Sequence, residues 1–187
     1  MIPGARPMMI RLPFRPFACL AIALAWLTWL AQPAGAQGAG QPALVQQFGD
    51  WGVYTGTSAG SKVCFALAQP ASAETVPPNR PRDAIYFFVS ARPAENVRNE
   101  VSIIIGYPFK PGSDATAELG GAQFTLQTQG DNAWVRNPAE EGKLVEAMRA
   151  GADMIVKGMS GRGTQTIDRY SLRGLGQALE RVGQECR

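Results

Sequence analysis

The residue types that most often perform catalysis are scarce in this sequence, and those present form no recognised catalytic set. The 187 residues include no histidine, so the chain by itself cannot supply a Ser-His-Asp triad, a Cys-His pair or an imidazole metal ligand. The aspartates are scattered and do not follow the D-x-D-x-D pattern of a calcium-binding loop. The sequence therefore predicts no catalytic residues, no metal site and no cofactor-binding site.

Two short segments contain residues that could act in catalysis, but each has a simpler structural interpretation. Glu140 and Glu141 could form a carboxylate pair, yet neighbouring residues of a helix point about 100° apart, and Glu140 stands where a helix cap would use it. Residues 158–163 (GMSGRG) resemble a glycine-rich anion loop or a nucleophile elbow. Arg162 occupies the position of the last glycine in G-x-S-x-G, and no G-K-[ST] ending follows. The sequence therefore favours a helix start and a hairpin turn.

Three residues are candidates for contact with a partner: Trp51, Trp134 and Arg162. The two tryptophans could form a stacking platform for a ligand, although strand tryptophans in a small domain more often pack in the core. Four arginines flank the third predicted strand: Arg80, Arg82, Arg92 and Arg98. Acidic residues stand between these arginines, so a solvated rim is favoured over an anion-binding patch.

Residues 1–36 have the features of a cleaved export signal. Arg6, Arg11 and Arg15 form a basic start without any acid, and the apolar run 17–31 follows. The small-x-small pattern at 34–36 predicts cleavage after its last residue, with export to the periplasm. An uncleaved anchor helix would need about 20 apolar residues. Outer-membrane association or secretion of the exported protein stays an open alternative.

The predicted removal of the signal changes the charge of the chain. The full sequence has 18 basic and 15 acidic residues, for a formal charge of +3. Three of the basic residues lie in the signal, which leaves 15 against 15 and a formal charge of zero. No basic block remains to follow a phosphate backbone, and no later segment is long and apolar enough for a membrane span. We therefore expect no nucleic-acid binding and no transmembrane segment after processing.

Two cysteines remain after the signal, Cys64 and Cys186, and an even pair in an exported chain predicts a disulfide. Residues 62–69 alternate, which places Cys64 with two alanines on one strand face. Five residues recur at helical steps of three and four: Leu172, Leu175, Leu179, Val182 and Cys186. A helix packed on the small strand face would bring the two sulfurs together. The alternative, a redox-active thiol, lacks both a C-x-x-C motif and a histidine.

The rest of the pattern predicts residues 37–47 as a flexible leader and residues 48–187 as a single domain. The nearly continuous apolar run 85–91 and the segment 101–107, rich in β-branched residues, predict strands buried on both faces, whereas the proline-rich stretch 70–83 predicts a loop. A first helix is expected from the Asn137 cap, and Ser171 could cap the last one. We predict a mainly β (α+β) fold: an antiparallel β-sandwich-like domain of about eight short strands and two helices, the C-terminal helix packed on the sheet.

The order of these parts resembles the invasion-associated locus B family of exported bacterial proteins over roughly residues 48–186. The motifs that carry the resemblance are 48–53 (FGDWGV), the strand with Cys64, the helix segment 137–151, and 171–175 (SLRGL) before the terminal helix. Relatives often have a cysteine where this chain has Thr55, and another cysteine pair in mid-domain. The resemblance implies an envelope protein, linked in some pathogens to host-cell invasion, and it brings no accepted catalytic residues.

The expected function is that of a non-enzymatic envelope protein that acts by contact with another protein or an envelope surface, with a role in host interaction or invasion. The sequence does not name the partner. Two alternatives stay open. A periplasmic hydrolase could use carboxylates alone, and would need two carboxyl groups converging in one cleft. A small-ligand carrier would need a sizeable apolar pocket between sheet and helix.

Overall fold

The computed structural model describes residues 41–187, and the predicted export signal and residues 37–40 of the predicted leader lie outside them. Eleven strands are present: β1 Ala43–Phe48, β2 Trp51–Ser58, β3 Ser61–Ala68, β4 Ser72–Val76, β5 Tyr86–Arg92, β6 Val97–Ile104, β7 Ala115–Leu119, β8 Ala122–Gln129, β9 Asn132–Trp134, β10 Asp153–Met159 and β11 Gln165–Ser171. The two helices are α1 Pro138–Ala150 and α2 Leu175–Glu185. Within the described range, neither helix is long and apolar enough to cross a membrane.

The strands form one continuous antiparallel sheet that folds back on itself as two layers. Its order is β1-β2-β3-β5-β6-β9-β8-β7-β10-β11-β4. β8 is the corner strand, since residues 122–126 pair with β7 and residues 127–129 pair with β9. The first layer consists of β1, β2, β3, β5, β6 and β9, and the second consists of β7, β10, β11 and β4. The predicted antiparallel, sandwich-like α+β fold with two helices is thus confirmed.

The core lies between the two layers. We call the side of each layer that faces the core its inner face. Trp51, Phe87 and Tyr170 are fully buried there. The ring centroid of Phe87 on β5 lies 5.9 Å from that of Trp51 on β2 and 5.4 Å from that of Tyr170 on β11. Edge-to-face packing of this kind links the two layers through aromatic side chains.

Two strands form where the sequence predicted none. β1 begins at Ala43, inside the predicted flexible leader, and β4 lies inside the proline-rich stretch predicted to be a loop. Both are the terminal strands of the sheet, each paired on one side only. Most of their side chains are exposed, so backbone pairing rather than an apolar pattern creates these strands, and periodicity cannot reveal them.

The start of α1 is partly as predicted. The side chain of Asn137 accepts a hydrogen bond from the Ala139 amide at 2.9 Å, which confirms the predicted cap. Glu140 does not complete a capping box; its carboxylate contacts Lys143 Nζ at 2.8 Å. Glu141 instead accepts a hydrogen bond from the Val101 amide on β6 at 2.8 Å. The two carboxylates therefore have separate structural partners.

The first end of α2 is attached to the turn between β1 and β2. The Asp50 amide donates to the Arg173 carbonyl at 3.1 Å, and Trp51 Nε1 donates to the Ser171 carbonyl at 3.0 Å. Ser171 does not cap α2 as predicted: the N-cap is Gly174, and no side chain caps this helix end. The turn 171–174 is fixed by contact with the β1–β2 turn instead.

Gly174 makes this close contact possible. Its φ is +92°, a left-handed conformation that favours glycine. A Cβ atom here would lie 2.1 Å from the carbonyl oxygen of Phe48. The two turns therefore touch through their backbones, and a side chain at residue 174 would separate them.

The other end of α2 is attached to β3 by the predicted disulfide. Cys64 and Cys186 are bonded, with their Cα atoms 5.9 Å apart and 122 positions apart in sequence. Between the two attachments, α2 buries Leu175, Leu179 and Val182. The helix thus covers the inner face of the first layer, as the helical stripe in the sequence indicates.

We predict that Gly174→Ala lowers the free energy of unfolding by about 2–4 kcal/mol, because it combines an unfavourable φ with a backbone clash. The matched control is Gly176→Ala in α2, where nothing lies within 4 Å of the added Cβ. Since alanine favours a helix interior, the control should raise that free energy by up to ~1 kcal/mol. Urea denaturation followed by circular dichroism measures both. Equal effects of the two substitutions would contradict the proposed close contact.

We also predict that reduction of the Cys64–Cys186 bond lowers the free energy of unfolding, because the open chain gains conformational entropy. For a loop of this length the chain-entropy model gives an upper value of about 5 kcal/mol. Urea denaturation with and without dithiothreitol measures the change, and the Cys64→Ala/Cys186→Ala variant, which should not respond to the reductant, is the control. Two alkylatable thiols in the untreated exported protein would refute the bond.

Candidate functional site

A cleft with a volume of about 900 Å³ opens at one end of the space between the layers. Three segments line it: residues 75–83, residues 106–108, and the β10–β11 turn with the start of β11. Thr75, Gly158 and Thr166 lie side by side on β4, β10 and β11. A cleft of this size is in the range of small-molecule binding sites.

The floor of the cleft contains a buried ion pair. Two nitrogens of the Arg82 guanidinium contact the two carboxylate oxygens of Asp168 at 2.6 and 2.7 Å, in a forked arrangement. The same guanidinium donates to the Ile105 carbonyl through Nη2 at 2.7 Å and Nε at 3.3 Å. The Arg82 side chain is 7% exposed and that of Asp168 is 0% exposed. The pair connects the loop after β4 to β11.

Burial and charge act in opposite directions on Asp168. Burial raises the pKa of its carboxyl above the ordinary value, and the hydrogen bonds and charge of Arg82 oppose that rise. Because a buried carboxylate without a partner is unfavourable, the forked contact is what permits a charge at this position.

Tyr107 forms the wall next to this pair. Its hydroxyl lies 2.6 Å from Thr166 Oγ1, and its ring centroid lies 5.2 Å from the Arg82 guanidinium carbon. Burial raises the pKa of the Tyr107 phenol, so it keeps its proton at neutral pH. Gly158 leaves the necessary space, since a Cβ there would lie 2.7 Å from the Tyr107 oxygen. The wall therefore offers an aromatic ring and hydroxyl groups without a charge.

The rim of the cleft carries exposed charged residues. Arg80 and Arg162 are exposed and line the cleft, and neither forms an ion pair with any residue from 41 to 187. Asp83 is the exposed acid of the lining. The charge of Arg82 is already balanced by Asp168, so the rim has an excess of positive charge.

A second candidate lies on the first layer, on the side opposite α2. Strand registry places one set of apolar side chains together on this outer face, and we call it the aromatic face: Leu44, Tyr54, Val63, Phe65, Leu67, Tyr86, Phe88, Ile104 and Trp134. Leu44 is 56% exposed, and the others are half-buried. Among the described residues, α2 packs on the opposite face of the same strands, where Cys64 is bonded to it.

Four aromatic rings form a continuous row across this face. Tyr54 and Phe65 are stacked with centroids 5.4 Å apart, and Phe65 meets Phe88 edge-on at 5.7 Å. Phe88 is in turn 6.0 Å from Tyr86. Gly52 accommodates the first ring, because a Cβ at that position would lie 2.7 Å from a Tyr54 ring carbon. The rings are thus fixed against one another before any partner arrives.

The model of the family described as invasion associated locus B (IalB) protein matches residues 51–183. This chain belongs to that family. Neither the curated proteins nor the solved structures contain a match. The resemblance noted from the sequence motifs is thus confirmed at the level of the family.

The structure shows how two motifs of this IalB-family chain are related. Residues 48–53 form the β1–β2 turn and the start of β2, and residues 171–175 form the turn before α2. The two motifs contact each other through the Asp50–Arg173 and Trp51–Ser171 hydrogen bonds. These motifs therefore hold the fold together at one end of α2, and they lie apart from the residues that carry the rim charge of the cleft.

The two tryptophans do not form the stacking platform, which was the alternative to the favoured packing in the core. Trp51 is 0% exposed on the inner face, so it cannot serve as a surface-contact residue. Trp134 lies on the aromatic face, where its cross-strand neighbour is Ser102. The two rings therefore occupy opposite faces of the same layer. Arg162, the third contact candidate, lies at the rim of the cleft.

The prediction of a solvated arginine rim is wrong for Arg82, which is buried with Asp168. The same prediction agrees better with Arg92, which is partly exposed and forms ion pairs with Glu95 at 2.9 Å and Glu100 at 2.5 Å. The sequence carries no local signal for the buried pair. Along β11 the apolar Ile167 is the residue expected to face inward, but registry places Asp168 there beside Ala73 of β4.

The strands predicted to be buried on both faces are covered on one side only by the described residues. Phe87, Val89 and Ile103 are fully buried on the inner face, whereas Phe88 and Ile104 on the outer face are half-buried. The apolar run in the sequence is real, but α2 and the second layer account for only one of its two faces. The other face is the aromatic face.

We predict that Asp168→Ala lowers the free energy of unfolding by about 3–5 kcal/mol, because it leaves the Arg82 guanidinium buried without its counter-ion. The control is Glu118→Ala, which removes the partner of the half-exposed Lys157 and should cost less than about 1 kcal/mol. The Arg82→Met/Asp168→Leu double variant should recover most of the loss. Urea denaturation measures all three. If Asp168→Ala costs no more than Glu118→Ala, the pair does not stabilise the cleft.

Proposed function

We propose that this IalB-family chain is an exported, non-enzymatic envelope protein that binds another protein through its aromatic face. Export is supported by the signal pattern in residues 1–36, and an envelope role is supported by membership of the family. The observation that carries the contact function is the row of half-buried aromatic rings on the outer face of the first layer. A role in host interaction would follow if the partner were a host protein.

The composition of this face favours a contact surface. An antiparallel sheet with one solvated face normally alternates apolar residues inward and polar residues outward. Here the outward positions include Val63, Phe65 and Leu67 on β3, and Tyr86 and Phe88 on β5. Removing such apolar surface from water stabilises a complex by roughly 25 cal/mol for each Å² buried. Fixed aromatic rings also lose little conformational freedom on binding, as in many interface hot spots.

The border of the face favours a protein over an anionic lipid surface. Arg92 lies at one end of β5, and its charge is balanced by Glu95 and Glu100. The Glu100 carboxyl has a lowered pKa because Arg92 donates hydrogen bonds to it. An apolar centre with charge-balanced polar groups at its border is the usual anatomy of a protein–protein interface, whereas binding to anionic lipid relies on basic clusters.

The arrangement of the carboxylates favours contact over hydrolysis. A carboxylate-based hydrolase needs two carboxyl groups that face the same bound substrate. In the cleft, Asp168 is engaged by Arg82 and buried behind it, which leaves Asp83 at the rim. A carrier would need a pocket between α2 and the sheet, but α2 packs its buried stripe directly on the inner face. Both alternatives are therefore less well supported than contact.

We predict that a photo-activatable cross-linker in place of Phe88 captures a protein partner in intact cells. The same group in place of Thr125, an exposed residue in the part of the corner strand β8 that pairs with β7, is the matched control and should capture none. Capture at residue 88 should decrease at least about tenfold when Phe65→Lys is added, because a charge would enter the apolar contact. Mass spectrometry identifies the captured protein and should show Gln37 as the N-terminus of the exported chain.

Three results would contradict the proposal. Equal capture from residues 88 and 125 would indicate collision rather than a defined interface. Capture of lipid alone at residue 88 would replace the protein partner with a membrane surface. Turnover of a peptide, ester or glycan by the purified exported protein, abolished by one substitution, would show that the protein is an enzyme. Circular dichroism of the Phe65→Lys variant establishes that loss of capture is not loss of folding.

A further inference from the structure

The cleft at the end of the two layers has features that the contact function does not use. It is separate from the aromatic face, because its residues come from β4, β11 and the loops after β4, β6 and β10, and none of them belongs to that face. Its volume of about 900 Å³ exceeds the needs of a single inorganic ion. Its lining combines apolar surface with charged groups at the rim. The apolar surface comes from Tyr107 and from three prolines, Pro77, Pro81 and Pro108.

The backbone segments that carry the two rim arginines are held in place by hydrogen bonds. The Arg80 amide donates to Thr75 Oγ1 at 3.1 Å, which fixes the loop after β4. The turn that carries Arg162 is closed by the bond from the Thr164 amide to Ser160 Oγ at 3.0 Å. The amide of Gly161 also donates to the Pro108 carbonyl at 3.1 Å, so this turn is attached to the opposite wall. The Cα atoms of both arginines therefore have fixed positions at the rim.

The floor keeps these two arginines available for a ligand. Asp168 could neutralise a rim arginine if it were free, but Arg82 occupies both of its carboxylate oxygens. Asp83 at the rim offsets part of the positive charge, so the lining favours a ligand with few negative charges over a dense polyanion. Asp83 can also accept a hydrogen bond from a hydroxyl or amide of a bound molecule.

We propose that this cleft binds a small organic dicarboxylate, with its two carboxylates on Arg80 and Arg162 and its body against Tyr107. Guanidinium groups bind carboxylates through paired, charge-assisted hydrogen bonds. The ring of Tyr107 and the prolines supply apolar surface for the part of the ligand between the charges. Either a short acidic peptide or an acidic disaccharide carries this chemistry, together with a donor for Asp83.

Isothermal titration calorimetry of the purified exported protein tests the proposal with two dicarboxylate probes, N-acetyl-diglutamate amide and digalacturonate. Their neutral counterparts, N-acetyl-diglutamine amide and digalactose, control for binding of the backbone or the sugar ring. At least one acidic probe should bind, and the preferred one identifies the source of the dicarboxylate. Arg80→Gln and Arg162→Gln should each weaken that binding about tenfold or more, since each removes a charged hydrogen-bonding partner.

The matched control is Arg98→Gln, which removes an exposed arginine that is outside the cleft lining and forms no ion pair within residues 41–187. Its affinity for the probe should equal that of the unmodified protein, and so should that of Phe65→Lys on the aromatic face. The proposal is overturned if neither acidic probe binds, if the two cleft variants bind as well as the unmodified protein, or if Arg98→Gln weakens binding equally. Because Phe65→Lys acts only on the aromatic face, failure here is distinguishable from failure of the proposed contact function.

Discussion

The attachment of α2 to the inner face of the first layer is the constraint on which the rest of this structure depends. Gly176 and Gly183 weaken the helix by themselves, so tertiary contacts must hold it. Backbone contact between Gly174 and Phe48 fixes one end, and the Cys64–Cys186 bond fixes the other. With α2 and the second layer on the inner face, the apolar residues that alternate to the outer side of β2, β3 and β5 have no covering element among the described residues.

The two candidate sites follow from different physical causes. The aromatic face exists because the apolar residues of the first layer exceed what its inner face can bury. The cleft exists because the loops after β4 and β6 meet the β10–β11 turn around the forked ion pair of Arg82 and Asp168. A buried pair of this kind often contributes no more stability than well-packed apolar groups would, but it joins the loop after β4 to β11 in one defined arrangement. That arrangement leaves Arg80 and Arg162 at the rim without an ion-pair partner among residues 41–187.

Predictions from the sequence succeeded where a local pattern has one structural solution. The alternation around Cys64, the helical stripe to Cys186 and the Asn137 cap all depend on neighbours within a few residues, and the structure has each of them. Predictions failed where the outcome depends on distant partners. β1 and β4 are strands because they pair with β2 and β11, and Arg82 is buried because β11 supplies Asp168 from 86 positions away. No local pattern carries that information.

The sequence by itself determined the lack of histidine chemistry, the cysteine pair, the strand periods and the family to which the chain belongs. Only the tertiary structure decided which side of each strand is covered. A period of two divides a strand into two faces, but in a nearly continuous apolar run such as 85–91 the sequence does not distinguish them. The packing of α2 and β11 on one side made Phe87 a core residue and left Phe88 on the aromatic face. For the same reason Trp51 is buried while Trp134 is not: registry across the sheet, set by long-range pairing, places them on opposite faces.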